Sequence, residues 1–144
     1  MPIWFVVDDN DLAHPVRSTA DGEIYTVENF PRYKEILEES VGDASLSAGD
    51  NTLNGSVVPA GEIWLVTLVY MDVISTDVTK TQIRVSGLAS LQHLYTFPTP
   101  LNDTWMGGVT NALLQEGDKM QLFIEGAAAG DDGYLRYSGW KAEL

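Results

Sequence analysis

Carboxylates are the only abundant chemical groups in this chain of 144 residues. There are 21 Asp and Glu against 8 Lys and Arg, with 2 His and no Cys. Without cysteine there is no thiolate chemistry, no disulfide and no Cys/His zinc cluster. His14 and His93 lie far apart in sequence. Alternation places His93 with Leu91 and Tyr95 on an apolar face, which suits a hydrogen-bonded core or interface histidine rather than a general base. No GxSxG elbow and no phosphate-cradling glycine loop occurs. Asp8, Asp9 and Asp11, or Asp131 and Asp132, have the ligand type calcium prefers, but the EF-hand glycine and distal glutamate are missing. Asp-rich turns commonly bond their own backbone instead. A glycosidase-like carboxylate pair cannot be picked out from so many acids. No catalytic residue, cofactor or metal site is therefore assigned. The 4 Trp and 6 Tyr leave sugar stacking open as an alternative to core and subunit contacts.

The formal net charge of −13 argues against nucleic-acid binding, which rests on phosphate neutralisation, and against anionic membrane surfaces. No apolar run reaches the length of a membrane span. The opening MPIWFVVDDND has no basic leader and turns acidic at once, so no signal peptide is read.

The elements that would carry any site read as strands. The most apolar stretch is VVPAGEIWLVTLVYMDVI, residues 57 to 74. Pro59 suits position i+1 of a type I turn and Gly61 position i+3, and β-branched and aromatic residues follow. Strict alternation puts Trp64, Val66, Leu68, Tyr70 and Ile74 on one face and Ile63, Leu65, Val69, Met71 and Val73 on the other. Both faces are apolar, so each needs a cover, from this chain or from another subunit. Residues 79 to 86 alternate as a half-wet strand, with Thr81, Ile83 and Val85 inward. Met120, Leu122 and Ile124 point inward from residues 119 to 125, and residues 134 to 140 close the sheet.

Residues 12 to 21 read as loop, and residues 29 to 41 as helix or strand, with a lean to extended structure. The whole predicts an all-β, antiparallel sandwich or jelly-roll-like domain over residues 51 to 144, preceded by an extended arm over 1 to 50. Ile3, Trp4, Phe5, Val6 and Val7 in the arm, with Trp64, Tyr70 and Trp105, are the candidate interface residues.

Three stretches carry a resemblance: VPAGEIWLVT at 58 to 67, LLQEGDKMQLFIEG at 113 to 126, and AGDDGYLRYSGW at 129 to 140. In this order and spacing they resemble small β-sandwich structural proteins of tailed bacteriophage virions. The resemblance covers about the last 90 residues, lies in scaffold turns and carries over no catalytic residue. It implies a virion component made in the host cytoplasm: a capsid decoration (cement) protein on the head surface, or a head- or tail-fibre component. The implied partners are the major capsid protein or another virion protein and further copies of the chain. A trimer would match local three-fold positions on a shell. A carbohydrate-binding module or receptor-binding fibre is the alternative, and a carboxylate hydrolase the third.

Overall fold

Strand follows strand through the whole described chain, and no helix forms. The computed structural model describes residues 4–7, 13–18, 24–25, 33–75, 77–87 and 91–143, with side chains from Glu35 onward. It divides into two units, Met1–Pro31 and Arg32–Leu144. In the first, β1 (Trp4–Val7), β2 (Ala13–Ser18) and β3 (Ile24–Tyr25) form a three-stranded antiparallel sheet in the order β1-β2-β3. Part of the expected arm is therefore sheet, and the expected loop over 12 to 21 contains β2.

The second unit is the expected sandwich, but it begins well before residue 51. β4 (Tyr33–Asp43) and β5 (Gly49–Asn54) both belong to it. Its other strands are β6 (Glu62–Ile74), β7 (Lys80–Ser86), β8 (Leu91–Phe97), β9 (Met106–Leu114), β10 (Lys119–Ala127) and β11 (Asp132–Glu143). They form two antiparallel sheets, β5-β10-β7-β8 and β4-β11-β6-β9. The lean to extended structure at 29 to 41 is met by β4. This strand carries Glu35, Glu38 and Glu39, yet Leu37 is buried and the strand pairs along nearly all of β11.

The core lies between the two sheets. Ile83, Met120, Leu122 and Ile124 enter it from one side, as alternation predicts, and Leu37, Val69, Met71 and Leu135 from the other. Each such fully buried aliphatic side chain contributes about 1.5–3 kcal/mol. Of the two tyrosines of β11, Tyr137 adds a polar tie at the rim. The Tyr137 hydroxyl donates to Glu39 Oε2 at 2.5 Å, while Glu39 Oε1 accepts from the Ser56 amide (2.8 Å) and hydroxyl (3.0 Å). Burial, reinforced by the Glu39 carboxylate, drives the phenol's pKa far upward, so it stays a donor.

The turn that starts β6 is shifted by one from its expected register. The Glu62 amide bonds the Pro59 carbonyl at 3.3 Å, which makes Pro59 the first residue and Gly61 the third. The φ of Gly61 is +78°, a conformation that favours glycine at the third position of such a turn. Two of the stretches that carry the resemblance meet here. The Val58 amide bonds the Asp118 carbonyl at 2.8 Å, and the Gly117 amide bonds the Val58 carbonyl at 3.0 Å. The third stretch is tied to residue 46: Leu46 and Asp131 share one backbone bond, and Gly130 and Leu46 another.

Bulges overturn two of the alternation arguments. β6 carries one residue more than β11 between Val66 and Leu68, opposite Ser138 and Gly139. The inward set is therefore Trp64, Val66, Val69, Met71 and Val73, not either of the strictly alternating sets. At β8, a register shift opposite Ile83 and Arg84 leaves His93 exposed, with Leu94, Tyr95 and Phe97 packed on the core.

Candidate functional site: the outer face of the β4-β11-β6-β9 sheet

The two sheets have unlike outer faces. On β5-β10-β7-β8 the outward residues are mostly polar; Leu91 is exposed at the β8 edge, and Phe123 lies beneath Arg84 and Lys80, 4.8 and 5.9 Å from its ring centre. On β4-β11-β6-β9 the bulge turns Leu65, Leu68 and Tyr70 outward together. Cross-strand register then lines up Ile36, Trp140, Leu65 and Leu113 as one row across all four strands. Ile36 is 65 % exposed, Trp140 45 % and Leu113 50 %, and in the next row Val109 is 74 % exposed. Isolated exposed apolar residues are ordinary, but a contiguous row marks a surface made for contact. The exposed charges at the outward positions of this face are Glu38 and Arg136, which cancel, on a chain of net charge −13.

Beyond the row, the face dips into a concavity of about 420 Å³. Leu68 and Tyr70 give it an apolar lining, Glu38, Ser40, Arg136 and Ser138 a polar one, and Glu39 and Tyr137 complete it. Trp105 stacks beside it, with the Arg136 guanidinium 4.8 Å from its ring centre.

Asp72 lies at the same end of β6, only 5 % exposed, and its Oδ1 has no hydrogen-bond partner. The segment that leads into β9 comes close, with the Asp103 amide bonded to the Val73 carbonyl at 3.1 Å. Burial, and next the charge of Asp103, raise the Asp72 pKa above its ordinary value, against smaller lowering effects from the Thr104 and Val73 backbone. A carboxyl whose folded pKa is raised opposes folding when ionised, and that cost fades as pH falls through the folded value. Asp72→Asn removes that charge and is therefore expected to stabilise the protein at pH 7, by roughly 1 kcal/mol, the usual size of a single-site effect. Urea melts at neutral and mildly acidic pH check this: the advantage should shrink as pH falls.

The candidate residues from sequence divide. Tyr70 and Trp105 come together on this outer face. Trp64 does not: it is 3 % exposed, part of the core, with its Nε1 donating to Glu62 Oε2 at 2.7 Å and the Lys141 ammonium 4.9 Å from its ring centre. Ile3 and the side chains of Trp4, Phe5, Val6 and Val7 lie outside the described residues, as do Asp8, Asp9, Asp11 and His14's side chain. Asp131 is spent on its turn, its Oδ2 accepting from the Ala128 amide at 2.7 Å. Among the described residues no three His, Cys, Asp or Glu side chains converge as metal ligands. Sequence reasoning missed Ile36, Val109, Leu113, Trp140 and Arg136. Their signal was present only as pairing partners of β6, or for Ile36 of β11, which register alone reveals.

No protein-family model matches the chain and no curated protein matches it, so its function is argued from this face.

Proposed function

We propose that this protein binds without chemistry, as a structural component of a tailed-phage virion, most simply a decoration protein on the capsid surface. The observation that carries the binding role is the exposed row Ile36–Trp140–Leu65–Leu113 with Val109 beside it, on a sheet whose other face fills the core. The virion setting rests on the resemblance of the three turn-bearing stretches. The partners under this reading are the major capsid protein or another virion protein and further copies of the chain, with a trimer as the favoured assembly. A strongly acidic body suits an outer surface and not one that faces packaged DNA. The apolar face, whose exposed charges cancel, is where such a body can approach another protein with little electrostatic cost.

The test is co-sedimentation of the purified protein with phage heads that lack it. Saturable binding at a fixed number of copies per head supports the proposal. Absence of binding to heads, with recovery of the protein in fibre or tail fractions of the virion, would move it to a fibre or tail role.

A further inference from the structure

The concavity at the Tyr70 end of the outer face differs in chemistry from the apolar row. At about 420 Å³ it falls within the range of small-ligand sites, roughly 300–1,000 Å³. Glu38 and Arg136 line it from neighbouring strands and adjacent cross-strand rows, since Glu38 is registered with Ser138 and Arg136 with Ser40. Neither has a hydrogen-bonding or ion-pair partner among the described residues; the contact Arg136 does make is with the Trp105 ring. A donor fork and an acceptor are thus open side by side. The Ser40 and Ser138 hydroxyls add small polar groups, and Leu68 and Tyr70 an apolar lining.

We propose that this concavity binds one hexose unit of a neutral saccharide. Adjacent ring hydroxyls donate to the Glu38 carboxylate and accept from the Arg136 guanidinium, while the C–H face of the ring covers Tyr70 and Leu68. Trp105 holds the guanidinium flat beside the site. Glu39 also lines the concavity, but its carboxylate is taken up by the Tyr137 hydroxyl and by Ser56. The ligand is neutral because the two open charges, Glu38 and Arg136, cancel and the chain carries −13, which repels an anion before it arrives. The assignment does not depend on the virion reading.

The experiment is a titration of the ¹⁵N-labelled full chain, followed by amide chemical shifts, with the methyl glycosides of glucose, galactose and mannose and with glucuronate. Concentrations run to about 50 mM, because so small a contact set binds near the millimolar end of the scale. At least one neutral glycoside should give saturable shifts centred on residues 38 to 40, 70 and 136 to 138. Glu38→Gln and Arg136→Gln should each weaken it about tenfold, with thermal melts confirming that both variants fold. Val109→Lys with Leu113→Lys, which alters the apolar row, should leave it unchanged, so a failure of protein docking and a failure of sugar binding are separable. No saturable shift with any neutral glycoside, tighter binding of glucuronate, or equal affinity in Arg136→Gln would each overturn the proposal.

Discussion

Gly139→Ala is expected to cost about 3 kcal/mol or more, a large share of the roughly 5–15 kcal/mol that holds a domain of this size together. Gly139 lies where β11 passes the bulge of β6. A Cβ there would fall on the carbonyl oxygen of Leu65, with the Leu65 carbonyl carbon and the Val66 Cα close behind. These are backbone atoms of the strand at the sheet's centre, and no rotamer change can move them aside. Relief requires β6 and β11 to separate, which loosens Leu37, Val66 and Leu135 in the core at once. Gly130→Ala is the control. Its φ of +91° strains any side chain, but nothing lies within 4 Å of the added Cβ, so the cost should stay near 1 kcal/mol. Urea denaturation of both variants measures the difference. Equal midpoints would mean that the close passage of β11 over β6 is not a constraint on the fold.

The second large effect is on binding. Val109 and Leu113 lie on β9, an edge strand of the outer-face sheet, 74 % and 50 % exposed. Lysine at both positions should change stability by no more than about 0.5 kcal/mol each. If the face docks on protein, the same change buries two unpaired charges, a penalty of several kcal/mol. Binding to heads should then fall at least about 100-fold. The glutamate pair, Val109→Glu with Leu113→Glu, should fail as well. Loss with both signs identifies desolvation of charge as the cause; loss with one sign alone would identify simple repulsion from a charged partner and weaken the case for an apolar contact.

Much of the fold is legible in the residues. β7, and β10 as far as Glu125, alternate without interruption, so Thr81, Ile83, Val85, Met120, Leu122 and Ile124 can be placed inward by counting. β6 can be recognised as a central strand from its β-branched and aromatic content. Its faces cannot be counted, because the extra residue near Thr67 is fixed by what β11 presents opposite, including the bare backbone of Gly139. After that point parity reverses, and Trp64, expected beside Tyr70, sits in the core while Tyr70 faces outward. The same failure at Leu94 misplaces His93. The boundary expected at residue 50 fails for another reason. The polar, acidic character of residues 1 to 50 suggests an arm; the lean to extended structure at 29 to 41 foresees a strand there, and only its pairing with β11 shows that the strand belongs to the sandwich. The outer face was half visible. An apolar β6 demanded a cover, but which residues flank it is a fact of register.

The most direct measurement is a cryo-electron microscopy reconstruction of the virion with this chain fitted into its density. The account predicts the β4-β11-β6-β9 sheet turned toward a neighbouring protein, with Ile36, Val109, Leu113 and Trp140 inside the contact. Density with that sheet facing solvent and the polar Phe123 face against the neighbour would contradict it, as would a virion in which the chain has no place.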